Sequence, residues 1–182
     1  QGHGVTGDKD RPWAVALAEA LAEAGFNALR FSFAGNGKSD GKFEACTISK
    51  EVKDLKAIVD SAEEEGYHRI CYAGHSMGGA VGVLAAAKDE RIELLVSLAG
   101  MVHTKKFCKT EFGEVTPGKG NMWDEEGCPL SKAYVDDMNK INTVLNKTEK
   151  IEVPWLLVHG DKDDVVPVEE GQEMYGLSLI HI

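Results

Sequence analysis

The chain has 182 residues, of which 43% are hydrophobic, and 30 acidic against 20 basic side chains give it a formal net charge of −10. This length corresponds to one domain with enough apolar material for a core. The acidic balance argues against nucleic acid or an anionic membrane as a partner, since no basic cluster exceeds Lys105-Lys106. No apolar run approaches the roughly 20 residues that a membrane-spanning helix requires.

The cysteine pattern favours a reducing, cytoplasmic location, because the four cysteines are widely spaced and include no C-x-x-C pair. Cys71 lies in a predicted buried strand and is interpreted as a small apolar residue. His103, Cys108 and Cys128 match no zinc-ligand spacing, so the sequence predicts no metal site. It predicts no organic cofactor either.

The first third of the chain alternates between helix and strand signals. A polar, glycine-rich loop with His3-Gly4-Val5 comes first, and by itself it reads as an ordinary loop. The apolar spacing then predicts a helix over 12–24, a strand over 27–33 and a second helix over 49–65. Gly25 and Gly66 follow the two helices at the position where glycine commonly ends a helix.

A sharp strand-to-helix turn is the most informative feature of the sequence. A short apolar strand over 69–73 runs directly into Gly74-His75-Ser76-Met77-Gly78, and an alanine-rich helix over 79–87 follows. A turn this tight forces the residue at its apex into a strained backbone conformation and lifts the Ser76 hydroxyl clear of the sheet. Glycine is expected at both ends of the turn because the two backbones pass too close for side chains.

The second half of the chain contains two further strands separated by a long irregular segment. Strands are predicted over 92–99 and over 155–158. The segment 101–150 between them is dotted with aromatic residues and punctuated by Gly and Pro, and only Tyr134, Met138, Ile141 and Leu145 keep a helical spacing in it. The last strand runs into His159–Pro167, which contains three aspartates; spacing alone does not separate Asp161, Asp163 and Asp164.

Three segments together resemble the α/β-hydrolase family: the His3-Gly4 loop, the G-x-S-x-G turn at Gly74–Gly78, and the H-G-x-x-D-x-x-V-P pattern at His159–Pro167. The resemblance implies an α/β fold with a mostly parallel sheet and helices on both faces. It extends over nearly the whole chain up to Tyr175. It is specific to the superfamily but not to a substrate.

The resemblance also implies roles for individual residues. Ser76 would be the nucleophile and Asp163 the acid of a catalytic triad, while the backbone N–H groups of Val5 and Met77 would form the oxyanion hole. The loop Gly35–Gly41 resembles another family segment, one that supports the active-site loops. Arg30 and Ser32 stand at the Arg and first Asp of that segment, and Arg30, Ser39 and Asp40 are therefore interpreted as positional.

The segment 101–150 falls where this family commonly carries a lid over the active site. The resemblance makes its aromatic residues candidates for lining an acyl or aromatic pocket. The alternative is that they form the small core of the insertion. The residues in question are Phe107, Phe112, Trp123 and Tyr134.

The family order of triad residues places the histidine base after the acid, and the one histidine after Asp163 is His181. His181 lies in 177–182, which looks like translated adapter sequence and is interpreted as a non-native tail. We therefore expect a fragment, with a partial hydrolase domain over 1–176 that lacks the first three strands and the last strand of the family. This fragment is expected to be insoluble or molten, and inactive.

The function predicted for the parent protein is hydrolysis of small-molecule carboxylic esters through an acyl-enzyme intermediate, with feruloyl-type esterases and monoacylglycerol-lipase-like enzymes as the nearest types. A serine peptidase of the same fold is one alternative, because amide and ester hydrolysis use the same machinery. A non-catalytic binding member of the fold is the other.

Overall fold

A three-stranded parallel sheet forms the centre of the protein, whose computed structural model describes residues 1–177. Leu95 of the middle strand pairs with Tyr72 on one side and with Trp155 on the other. All three of these side chains are buried. Because the strands are parallel, their carboxyl ends meet at one edge of the sheet. The strands lie in the order β1 (Ile70–His75), β2 (Ile92–Leu98), β3 (Trp155–Val158).

Helices pack against this sheet, with α3 contacting both β1 and β2. The helices and strands predicted at the turn and before it have bounds within two residues of those observed, except for the strand over 27–33. Within residues 1–177, no helix has both the length and the apolar character that crossing a membrane takes. The α-helices of the described chain are α1 (Pro12–Glu23), α2 (Ile48–Glu64), α3 (Met77–Ala86), α4 (Thr104–Phe112), α5 (Lys132–Ile141) and α6 (Val168–Leu177).

The strand predicted over 27–33 does not form, and that prediction is wrong. The segment runs without regular secondary structure, and Leu29 leaves 59% of its surface exposed. Its backbone is held at two points: the terminal amine of Gln1 donates to Leu29 O (2.9 Å), and Phe33 N donates to the His3 ring (3.0 Å). An extended segment becomes a strand only when a neighbour pairs with its backbone, and the described residues provide no such neighbour along this segment.

The first residues of the chain occupy one end of the space beside β1. Gly2 pairs with Gly74 as an isolated parallel bridge, in which Gly2 N donates to Ala73 O (2.9 Å) and His75 N donates to Gly2 O (3.1 Å). Cys71 lies earlier on the same strand and is exposed, so its predicted burial is wrong. Among residues 1–177, the bridge to Gly2 reaches only the carboxyl end of β1. The amino end of the strand, where Cys71 lies, therefore has no neighbouring strand on that side.

The segment 101–150 contains more helix than the sequence indicates. It forms α4, α5 and the 3-10 helices Met122–Asp124 and Leu145–Lys150. Tyr134 and Met138 face inward from α5 as their spacing predicts, whereas Leu145 belongs to the next helix. Helix α4 was not predicted, although its buried residues Phe107, Cys108 and Phe112 follow a helical spacing.

The aromatic residues of this segment pack mainly against one another. Phe112 contacts Trp123 with ring centroids 5.0 Å apart and Tyr134 with centroids 6.3 Å apart, and Phe107 packs edge-on against Phe112 at 6.0 Å. Phe107, Phe112 and Tyr134 are buried, whereas Trp123 is 43% exposed. This arrangement agrees with the interpretation that they form the core of the insertion.

Candidate active site

Ser76 occupies the apex of the turn between β1 and α3 with φ 51° and ψ −117°. A positive φ is unfavourable for a residue with a side chain and costs on the order of 1–3 kcal/mol unless the surroundings impose it. Here three backbone hydrogen bonds do so: Ser76 N donates to Leu98 O, and Ser76 O accepts from Gly79 N and Met101 N. The strained apex expected from the sequence is therefore present.

The glycines of the turn are required by close backbone contact, as expected from the sequence. A Cβ on Gly74 would lie 2.2 Å from Gly78 O, and a Cβ on Gly78 would lie 2.6 Å from Gly2 O. The second contact was not foreseen, because it comes from the first residues of the chain rather than from the strand. The turn and the loop over residues 2–7 thus interlock through their backbones.

His3 fixes the loop beside the serine. The side chain is 1% exposed, its Nδ1 lies 2.9 Å from Gly4 O, and its Nε2 accepts a hydrogen bond from Phe33 N at 3.0 Å. These partners require a neutral ring with the proton on Nδ1, and burial lowers the pKa of His3 accordingly. The sequence indicated this histidine in the loop but not its positioning role.

The two N–H groups expected to form the oxyanion hole flank Ser76. The loop touches the serine, since a Cβ on Gly4 would lie 3.0 Å from Ser76 Cβ. Val5 follows in the loop, and Met77 is the first residue of α3, where backbone N–H groups lack helical partners. Within residues 1–177, neither of these two N–H groups donates a hydrogen bond to a protein acceptor.

Asp163 follows β3 and lies at the same edge of the sheet as Ser76. Its Oδ1 accepts hydrogen bonds from Val165 N (3.0 Å) and Val166 N (2.9 Å), which fix the carboxylate. Asp163 is half-buried, whereas Asp161 and Asp164 are exposed. This difference in burial favours Asp163 where spacing alone did not distinguish the three.

The carboxylate of Asp163 also acts on His75, the residue that precedes the serine. Burial lowers the pKa of His75, and the negative charge of Asp163 partly offsets that effect. The His75 ring packs against Trp13 of α1, with ring centroids 5.3 Å apart. The serine turn and the aspartate loop are therefore within electrostatic reach of each other at this edge.

Residues 3–118 of the chain match the family described as Hydrolase_4, serine aminopeptidase S33. This match covers the loop that contains His3 and Val5, the turn at Gly74–Gly78 and the start of the segment after β2. The chain belongs to this family of α/β-hydrolases.

Similar proteins with known names include esterases and a thioesterase. The chain is 30% identical over 167 residues to the mitochondrial palmitoyl-protein thioesterase ABHD10 of Bos taurus, covering 85% of this chain and 53% of the relative. Among solved structures, Est1E of Butyrivibrio proteoclasticus with bound ferulic acid superimposes with a TM-score of 0.88 at 33% identity, covering 99% of this chain and 75% of that one. The chain spans about half the length of the curated relatives it matches.

The residues that were interpreted as positional make hydrogen bonds within and between loops. Arg30 donates to Lys9 O and to Asp10, and Ser39 Oγ donates to Ser32 O at 2.7 Å. Asp40 contributes only its backbone carbonyl, which accepts from Gly35 N at 2.8 Å. In a separate contact, Ser32 Oγ accepts from Lys9 N at 3.0 Å. These bonds link the loop after residue 33 to the segment over 27–33, and that segment to Lys9 and Asp10.

His159 and His103 each have polar partners of their own. His159 Nε2 donates to Val166 O at 2.7 Å and lies 3.8 Å from Asp163 Oδ2, which is too long for a hydrogen bond. His103 pairs with Glu173 at 2.8 Å. Among residues 1–177 no group of three or more His, Cys, Asp or Glu is placed to hold a metal ion. Of the suspected tail over 177–182, Leu177 is the last residue of α6, and residues 178–182, which include His181, lie outside the described residues.

Glu51 is a buried acid that was not predicted from the sequence. Its side chain is 1% exposed, and neither carboxyl oxygen has a hydrogen-bond partner in the described part of the chain. Burial, reinforced by the charges of Asp54 and Asp137, raises the pKa of Glu51 well above its usual value. The helical spacing of residue 51 with Leu55 and Val59 was a signal that could have revealed its inward position.

Two cavities differ in their relation to the site. A small cavity is lined by Val5, Met77 and Glu51. Its volume is about 10 Å³, counted as the positions that the centre of a water molecule can occupy. A larger cavity of about 210 Å³ by the same measure lies between β3 and α6. None of Ser76, Asp163, Val5 and Met77 lines the larger cavity, so it is not a candidate for the acyl pocket.

Replacing Gly78 with alanine is expected to lower the free energy of unfolding by about 1–3 kcal/mol or more, because the added Cβ meets backbone atoms that cannot rotate away. Urea unfolding of both proteins measures the loss. Gly176→Ala is the matched control, since a Cβ there meets no heavy atom within 4 Å. Equal losses in the two variants would contradict the close contact.

Acidification is expected to destabilise the protein partly through His3. The folded state resists protonating this buried ring, so stability is complete above the unfolded-state pKa of about 6.5 and falls as the pH drops below it. His3→Ala should cost about 1–3 kcal/mol at pH 7.5, and the difference from wild type should shrink toward pH 5. Unfolding at several pH values measures this, with the exposed His68 replaced by alanine as control. A pH-independent difference would contradict the assignment.

Proposed function

We propose that this protein is a serine hydrolase that cleaves carboxylic esters through an acyl-enzyme intermediate. Ser76 is the nucleophile, Asp163 is the acid of the triad, and the N–H groups of Val5 and Met77 bind the oxyanion. The observation that carries the proposal is the strained Ser76 at the apex of the turn, with two unpaired N–H groups beside it. A histidine base is part of the proposed triad.

In the proposed reaction, the Ser76 oxygen attacks the ester carbonyl carbon as its proton passes to the base. The negative charge then moves to the carbonyl oxygen, where Val5 and Met77 stabilise it; removing one such donor typically costs about 2.7–4 kcal/mol. Collapse of this intermediate expels the alcohol, which takes the proton from the base. Water, activated by the same base, then releases the acid and restores Ser76.

The base is the one member of the triad for which residues 1–177 offer no candidate in family order. No histidine stands between Asp163 and Leu177 in the sequence. His159 precedes the acid and already donates to Val166 O. We therefore keep the hypothesis that the base is a histidine outside the described residues, without which Ser76 turns over slowly.

The substrate class proposed is a small-molecule carboxylic ester or thioester. Est1E is named as a protein with ferulic acid bound, and ABHD10 is named a palmitoyl-protein thioesterase. We propose that 101–150 acts as a lid, since Tyr134 and Met122 from this segment border the cavity beside the oxyanion loop. The mammalian relatives are named mitochondrial, so cytoplasmic location stays a prediction for this chain.

The triad roles can be tested on the full-length protein with p-nitrophenyl esters and a fluorophosphonate probe. Ser76→Ala should lower kcat by about 10⁶-fold and abolish labelling, and Asp163→Asn should lower kcat by about 10⁴-fold. Asp164→Asn is the matched control, since Asp164 is exposed, and its activity should stay close to that of wild type. Turnover that survives Ser76→Ala would refute the proposal. Failure of the probe to label Ser76 would favour a non-catalytic binding member of the fold.

A serine peptidase is the second candidate, because the matching family is described as serine aminopeptidase. Both reactions use the same nucleophile and oxyanion site, so the leaving group distinguishes them. We expect the full-length protein to cleave p-nitrophenyl acetate and butyrate with a higher kcat/KM than aminoacyl p-nitroanilides. Preference for the anilides, together with loss of that activity in Ser76→Ala, would establish the peptidase instead.

A further inference from the structure

The carboxyl group of Glu51 is buried on α2 without a partner for either oxygen among residues 1–177. An unsatisfied buried polar group costs on the order of 1–3 kcal/mol, so a folded protein retains one only with some compensation. None of the roles described above for the active-site residues uses this carboxyl group.

Glu51 borders the small cavity that Val5 and Met77 also line. The N–H groups of these two residues belong to the proposed oxyanion hole, so the cavity adjoins that hole. Its volume of about 10 Å³ suits one water-sized group. Val5 and Met77 are the residues that the cavity shares with the proposed site around Ser76.

Two other polar side chains on the cavity wall have partners. Asn36 Nδ2 donates to Cys46 Sγ at 3.4 Å, and Ser131 Oγ accepts from Tyr134 N at 3.1 Å. Glu51 contributes a carboxyl group to this wall whose two oxygens both lack a partner within the described residues.

The wall next to Met77 can adapt to an entering group. The Tyr134 hydroxyl donates to Met77 Sδ at 3.5 Å, and Met122 contributes a second thioether. Methionine side chains change conformation at little cost and fit irregular spaces. The cavity can therefore admit a short chain without moving α2.

We propose that Glu51 forms a polar subsite of the acyl pocket and binds the terminal hydroxyl of a short ω-hydroxyacyl group. This inference rests on the proposed function, because it takes the Val5 and Met77 N–H groups as the anchor of the acyl carbonyl. Glu51 is thus a specificity-determining residue that contacts the substrate at the end remote from the reacting bond.

A hydroxyl fits this subsite better than the other common terminal groups. Burial disfavours the charged form of Glu51 and raises the pKa of its carboxyl group, and a neutral carboxyl group donates one hydrogen bond and accepts another. A hydroxyl matches both, whereas a methyl group would leave the carboxyl unpaired. An ammonium group would require Glu51 to ionise in a fully buried position, and a carboxylate would add charge beside Asp54 and Asp137.

The test measures binding by calorimetry to the full-length Ser76→Ala protein, which prevents turnover. The probes are linear carboxylic acids of three to six carbons, each compared with its ω-hydroxy and ω-amino analogue. We expect one chain length at which the ω-hydroxy acid binds about three- to tenfold more tightly than the plain acid. Glu51→Gln should keep this preference, because the amide preserves size and hydrogen bonding, and Glu51→Met should reduce it to about one.

The matched control is Glu64→Met, at an exposed position of α2, in the same Ser76→Ala protein. It should bind the probes as tightly as the Ser76→Ala protein does. An unchanged preference in Glu51→Met, no hydroxyl preference at any length, or tighter binding of the ω-amino acid would each overturn the inference. If Glu51→Met fails to fold, Glu51→Leu is measured instead, and the preference for the ω-hydroxy acid should be lost in that variant. Because the measurement needs no catalysis, a hydroxyl preference that depends on Glu51 would support the subsite even if the fluorophosphonate probe left Ser76 unlabelled.

Discussion

The close approach of two backbone segments at the serine turn is the constraint on which the rest of the site depends. Gly78 leaves no space for a side chain because Gly2 O and His3 O lie against it. This contact brings the loop over residues 2–7 against the turn and sets Val5 beside Met77. A site that must hold two N–H groups toward one oxygen benefits from such rigidity, because preorganised dipoles need no rearrangement during the reaction.

His3 extends this constraint to the segment before the second helix. The ring links Gly4 O in the oxyanion loop to Phe33 N, and it does so only as a neutral imidazole with the proton on Nδ1. The loop geometry is thus tied to a protonation state, although this histidine takes no part in the proposed proton transfers. His3 therefore positions the loop, and the proposed triad requires a different histidine as its base.

The segment 101–150 serves both the stability of the protein and the shape of the site. Its phenylalanines pack into an aromatic core, and Tyr134 continues from that core to the sulfur of Met77. Substitutions in this core are therefore expected to affect the proposed oxyanion hole through Tyr134. The buried Glu51 lines the same small cavity as Tyr134, and its carboxyl oxygens have no partner among residues 1–177.

Local patterns in the sequence were sufficient to predict the turn, the helices next to it and the order of the motifs. Gly74 and Gly78 stand where backbones cross, and the apolar spacing of α1 to α3 follows the helical period. The assignment of Ser76, Val5, Met77 and Asp163 came from the family resemblance, and their roles stay proposals. The sequence also indicated a parallel sheet, which the three observed strands confirm.

Contacts between distant parts of the chain determined which segments found partners. The stretch over 27–33 has strand-like residues but no neighbouring strand among residues 1–177, and Cys71 is exposed for the same reason. The tertiary fold also placed Gly2 against Gly78, and among residues 1–177 it left both carboxyl oxygens of Glu51 without a partner beside a cavity that adjoins the proposed oxyanion hole. Backbone pairing, and whether a buried polar group finds a partner, depend on residues far apart in sequence, so no local pattern could have determined them.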